Sequence, residues 1–173
     1  MSIEHLFYPI GRFSNKESYS DDETVLHFEQ IRTLPLELRE VVYNLPEGTL
    51  ERHYRDGSWT GRQVVHHISD SHSQFLTRLK LALTEENPTI KPYEENAWAQ
   101  LSDYSMPIDD SVELIRIVHE KIYKILSALP SEAFRRTYYH PQYKYTRDVS
   151  YLIALYAWHG SHHVGHLKLL QNS

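Results

Sequence analysis

Trp158-His159-Gly160-Ser161-His162-His163-Val164-Gly165-His166 is the stretch on which the fold turns. Its histidines at 159, 163 and 166 stand at relative positions 0, 4 and 7, so a helix carries all three on one face. Leu152 and Leu170 fall on the same face, seven residues before His159 and seven after His163. The stripe that should be buried therefore carries imidazoles at its centre, where a bundle helix would carry Leu or Ile. Neutral imidazole is the commonest side-chain metal ligand, so the pattern points to a metal inside a helical core.

Working outward, four helices are expected. The fourth runs from about Val149 to Leu170. The first spans about Asp22 to Asn44, with Val25, Phe28, Ile31, Leu38 and Val42 near one side and Pro35 expected to bend or interrupt it. The second starts after Thr60, where Thr60 and Gln63 match a capping box and Trp59 with Val64 a hydrophobic staple. Val64, Ile68, Phe75, Leu79 and Leu83 follow at helical spacing. The third begins near Asp110, paired with Glu113 as an acidic cap, and carries Leu114, Val118, Ile122 and Leu126. Only short stretches around Tyr8 and Tyr138–Tyr145 are ambiguous between strand and coil.

Pro88, Pro92 and Pro107 mark residues 86–107 as a long connection between the second and third helices. A long connection there lets the two middle helices run parallel, so the expected fold is all-α, an up-down-down-up four-helix bundle. One domain over residues 1–173 is the simplest partition. Leu45-Pro46 with Leu50, Arg52 and Tyr54 recurs 84 residues later as Leu129-Pro130 with Phe134, Arg136 and Tyr138. Two related helical hairpins about a pseudo-twofold axis, or a shared way of linking helices, would each produce it.

The net charge of -5, without a basic stripe, argues against nucleic-acid binding. No apolar run approaches the roughly 18 residues of a membrane helix, and the N-terminus lacks the basic and apolar regions of a signal peptide. A cytoplasmic protein is expected. With no cysteine, any metal must rest on nitrogen and oxygen ligands.

His159 and His163, four apart, can converge on one ion, and a third ligand must come from another helix. The second helix offers His66, His67 and His72, and periodicity leaves all three open, with His67 slightly ahead of His66. The stretch from Tyr54-Arg55-Asp56-Gly57-Ser58-Trp59-Thr60 through Arg62-Gln63-Val64-Val65-His66-His67 resembles the DinB/YfiT-like family of metal-dependent hydrolases, in its YfiT branch. Trp158-His159 with His163, Tyr8-Pro9-Ile10-Gly11 and Tyr139-His140-Pro141 share that likeness, which covers essentially the whole chain and departs at Gly160-Ser161. The resemblance implies a four-helix bundle with parallel middle helices and a homodimer, with one zinc or nickel ion per subunit on His67, His159 and His163.

A three-histidine centre with an open position lowers the pKa of water toward about 7, which favours hydrolysis of a small-molecule ester, amide or related bond. The helix carries Gly160 where H-E-x-x-H enzymes carry their glutamate base. A base would have to come from His166, from Asp70, from the loops or from the metal-activated water itself. Asp70, one turn after His67, is alternatively an orienting partner for that imidazole. The same centre would suit a thiol S-transferase of the bacillithiol type, as the resemblance also implies, or a non-catalytic metal clamp in a structural dimer.

Overall fold

The computed structural model describes residues 3–171. Its helices are α1 (Glu4–Phe7), α2 (Asp21–Tyr43), α3 (Gly61–Thr84), α4 (Glu95–Trp98), α5 (Ile108–Leu126) and α6 (Val149–Gln171). A hairpin of β1 (Thr137–His140) and β2 (Tyr145–Asp148) precedes α6. The four long helices form an all-α bundle to which the hairpin is a small addition. No strand forms at Tyr8, which instead ends α1.

Local chemistry sets the helix starts. Ser20 and Glu23 form a complete capping box for α2, and Thr60 and Gln63 form the expected one for α3. Trp59 and Val64 join the same apolar cluster, as a staple requires. Asp148 accepts from the Tyr151 N–H at 2.9 Å and so caps α6. The third long helix departs from expectation. It begins at Ile108 after Pro107, with no side-chain cap, and Glu113 pairs with Arg116 instead of closing a box with Asp110. Pro107, at φ -55°, lies close to the helical value, so the chain enters the helix two residues early.

Pro35 does not interrupt α2, which continues through it. Proline has no N–H to offer the Ile31 carbonyl four residues back. That carbonyl instead accepts a hydrogen bond from His119 Nδ1 of α5 at 2.6 Å, so a tertiary donor replaces the missing helical one.

Contacts between helices fix their directions. His66 meets Ser111 and His72 meets His119, so numbers rise together and α3 and α5 are parallel. Ile31 meets His119 while Tyr43 bonds Asp109, so α2 and α5 are antiparallel. Against α6, Leu34 lies beside Gly160 and Glu37 pairs with Lys168, a parallel arrangement. Gly61 of α3 approaches Leu170, and Arg78 bonds Tyr156, an antiparallel one. The bundle is therefore up-down-down-up. The principal packing pairs are α2 with α6, α3 with α5, α2 with α5 and α3 with α6. The helices flanking each copy of the linker repeat, α2 with α3 and α5 with α6, are not among these pairs, so the repeat of linker residues does not mark two closely packed hairpins. It occurs at two equivalent crossings instead.

Two apolar clusters fill the bundle. One is built around Ile31, Phe75, Leu79, Ile122 and Leu152, the other around Leu38, Val64, Ile68, Ile115 and Leu167. Between the clusters, α3 buries His66, His67, Ser69, Ser71 and His72, and α6 buries His162, His163 and His166 among its apolar residues. The imidazoles occupy that layer.

Candidate metal centre

Antiparallel α3 and α6 turn His67 toward His159 and His163, and one ligand atom from each lies within 4.8 Å of the others. His67 Nε2 and His159 Nε2 are 3.1 Å apart. Two nitrogens on a tetrahedral ion with bonds of about 2.0–2.1 Å would lie about 3.3 Å apart, close to that spacing. Burial lowers the pKa of His67 to about 4 and holds His159 and His163 well below the ordinary histidine value, the surrounding imidazoles adding to the effect on the latter two. Neutral rings present lone pairs, the form that binds metals. The donor set and the convergence both fit a divalent ion that accepts imidazole nitrogen.

Of the histidines that periodicity left open on α3, only His67 joins this group. His66 bonds the Ser111 hydroxyl through Nδ1 and the Met106 carbonyl through Nε2. His72 bonds His119 on α5. Asp70 accepts from the Tyr104 hydroxyl at 2.8 Å, while His67 Nδ1 has no partner, so this carboxylate does not orient that imidazole. His166 stacks on Tyr54 and spans His163 Nδ1 and the Phe7 carbonyl, each at 3.4 Å. A carbonyl can only accept, so His166 carries its proton on Nε2 and receives one from His163 Nδ1. His163 Nε2 is thereby left as a lone pair. Both nitrogens of His166 are committed, which suits it to positioning rather than to serving as a base.

Two cavities of about 340 Å³ reach the centre. His159 lines one, with Arg78, Tyr93, Tyr138 and His140. His163 lines the other, with His166, Arg55 and Trp59. Glu95 of α4 lines both, and burial raises its pKa. Glu95 and Arg78 are functional candidates that the pattern of residues did not single out. Glu95 sits in the proline-bearing connection, where no period operates, and Arg78 resembles an ordinary polar residue on a helix flank. The Arg55 guanidinium lies over the Phe7 ring at 4.0 Å and donates to the Asp56 main-chain carbonyl.

The buried imidazoles make the metal-free protein sensitive to acid. His67 and His119 titrate near 4 in the fold, depressed by burial, against about 6.5 in an unfolded chain. Between these values the unfolded state binds more protons, so stability is complete above about pH 6.5 and is lost as the pH falls toward 4. For each of these two, the loss at about pH 5.5 is on the order of 1 kcal/mol. Urea midpoints of metal-free protein should fall clearly between about pH 7.5 and 5.5. Coincident midpoints would mean that the rings protonate inside the fold.

Known proteins share this architecture. A 169-residue alignment with a Bacillus cereus protein named "Putative metal-dependent hydrolase" is 42% identical and covers 98% of this chain and 97% of the relative. A Halalkalibacterium halodurans protein of the same description is 42% identical over 161 residues, covering 93% of this chain and 94% of its own. Among solved structures, YfiT from Bacillus subtilis superposes with a TM-score of 0.92 at 37% identity over 97% of both chains. It is described as "a probable metal-dependent hydrolase with an unusual four-helix bundle topology". The pattern of the DinB superfamily matches residues 30–167, from α2 to the end of the imidazole-bearing face of α6. On this match and these identities, the chain belongs to the DinB superfamily.

Proposed function

We propose that this protein is a metal-dependent hydrolase of a small-molecule substrate, acting in the cytoplasm with one zinc ion per subunit on His67, His159 and His163. The observation that carries this reading is the convergence of three neutral imidazoles, two buried and one partly buried, with a cavity lined by His159 on one side and one lined by His163 on the other. Nickel also accepts imidazole and would fit the same donors. When bound, the ion supplies Lewis acidity, polarising a carbonyl and making water more acidic. Cavities of this size suit a small molecule.

The chain's own groups supply the rest. Arg78, held by the Tyr156 hydroxyl at 2.8 Å and the Lys91 carbonyl at 3.1 Å, fixes a positive charge in the wall of the His159 cavity. There it can orient an oxygen-rich substrate. Glu95 lines both cavities, and its raised pKa makes it a stronger proton acceptor than an ordinary glutamate. We assign it the proton from the attacking water, which it returns to the leaving group. Glu95→Gln should lower kcat by about 10²–10⁴-fold with zinc content unchanged, since general-base catalysis contributes on that scale. A kcat within a few-fold of wild type would remove Glu95 from the mechanism.

A homodimer is the assembly we propose. Val25, which turns away from the side of Ile31, Leu38 and Val42 on which it was expected, and Leu36, eleven residues on, are exposed and share an outward face of α2 that a second copy could cover. The activity test uses zinc-loaded protein and a panel of esters and amides, with monochlorobimane as electrophile in parallel. Chelator-sensitive turnover without thiol supports a hydrolase. Consumption of monochlorobimane only in the presence of thiol would replace it with a thiol S-transferase. Inactivity in both, with a sharp loss of thermal stability on chelation, would leave a metal clamp.

A further inference from the structure

His72 and His119 lie outside the three converging imidazoles, yet both are buried, His72 beside His159 and His119 beside His72. His119 Nδ1 bonds the Ile31 carbonyl that Pro35 leaves without its helical donor, at 2.6 Å. Because a carbonyl only accepts, the proton of a neutral His119 is on Nδ1 and its Nε2 is a lone pair. That lone pair faces His72 Nδ1 at 2.8 Å, so His72 must donate there and keep its own lone pair on Nε2. His72 Nε2 is buried without a partner, and so is Nδ1 of His159. The two rings are 5.7 Å apart between centroids, against 5.2 Å for His67 and His159, whose nitrogens are in hydrogen-bond contact.

We propose that His72 and His119 are positioning residues: His72 Nε2 and His159 Nδ1, close but not bonded to each other in this structure, come together when the metal binds, so that His72 Nε2 accepts the His159 Nδ1–H and the chain of imidazoles, anchored on the Ile31 carbonyl, directs the His159 Nε2 lone pair to the metal. Every proton in the row is set by one carbonyl, and that carbonyl is available because residue 35 is proline. His163 has a parallel device, through His166 to the Phe7 carbonyl. Each α6 imidazole of the centre would thus end on main-chain oxygen, His163 through one further imidazole and His159 through two, rather than on a carboxylate. No net negative charge is added to the site. Ligand histidines are generally oriented by such outer partners, whose loss costs about 10–100-fold in metal affinity.

The inference rests on the proposed metal centre, and the test separates the two. Side-chain nitrogen–proton correlation spectra of metal-free protein should show His119 and His72 protonated at Nδ1. An Nε2–H form at either would overturn the chain, whether or not zinc binds. Zinc affinity is then measured by competition with a chromophoric chelator, circular dichroism verifying the fold. His72→Phe should bind zinc about 10–100-fold more weakly. His72→Gln, which can donate and accept through its amide, should stay within a few-fold of wild type. Undiminished affinity in His72→Phe would overturn the role of His72 while leaving the centre intact. Failure of wild-type protein to take zinc would sink the centre itself, and the spectra would still decide the tautomers.

Discussion

Purified His159→Ala protein is expected to lose stoichiometric zinc. His159 stands close to both other members of the group, its Nε2 3.1 Å from that of His67 and its ring centroid 4.5 Å from that of His163. Removing it leaves two imidazoles on different helices, short of the three protein ligands that catalytic zinc normally takes. Losing only an outer partner costs about 10–100-fold in affinity, so losing a ligand should cost more than about 100-fold. Elemental analysis of wild type and variant, purified alike, reads the result directly. A second readout follows from linkage: zinc should raise the melting temperature of wild type and leave that of the variant almost unmoved. The variant should fold, because alanine removes a buried polar ring and satisfies no less of the backbone. Zinc content equal to wild type would place the metal elsewhere.

The largest loss of stability is expected from Phe75→Ala. Phe75 is fully buried between the polar layer and the apolar cluster around Leu79 and Ile122. Its ring stacks on Tyr156 with centroids 4.4 Å apart and planes 8° from parallel. Truncating a buried phenylalanine costs about 3–5 kcal/mol, from lost transfer energy and the cavity left behind. That is a large part of the 5–15 kcal/mol by which a typical domain is stable. The effect should reach the site as well. Tyr156 holds Arg78 through its hydroxyl and faces His72, so its release loosens one cavity wall and one outer partner together. Urea denaturation measures the first effect, and zinc affinity of the folded variant the second. A change below about 1 kcal/mol would mean that the neighbouring side chains close the gap.

How much of this could be seen in the residues differs from element to element. Local signals worked where the chemistry is local. Thr60 with Gln63 marked the start of α3, and the helical spacing of Val64, Ile68, Phe75 and Leu79 told which side of α3 turns inward. They misled at Asp110, because a cap depends on backbone entry, which Pro107 had already set. Pro35 misled in the opposite sense: a break was expected because a helix supplies no replacement donor, whereas the fold supplies His119 from another helix. Asp70 stood at the right spacing from His67 to orient it, yet its carboxylate bonds Tyr104.

By itself the sequence determined that a helix bears His159 and His163 on a buried stripe, since one turn of 3.6 residues brings positions four apart together. It also determined that a long connection precedes the third long helix, and so that the middle helices run parallel. Tertiary structure alone decided which histidine of α3 completes the group, because His66, His67 and His72 are all buried and point about 100–140° apart around the helix, and only packing shows that His66 and His72 meet α5 while His67 meets α6. It likewise decided that Glu95 overlooks both cavities. A residue in a connection has no periodicity to betray its direction, and where it points follows from what the rest of the chain leaves open.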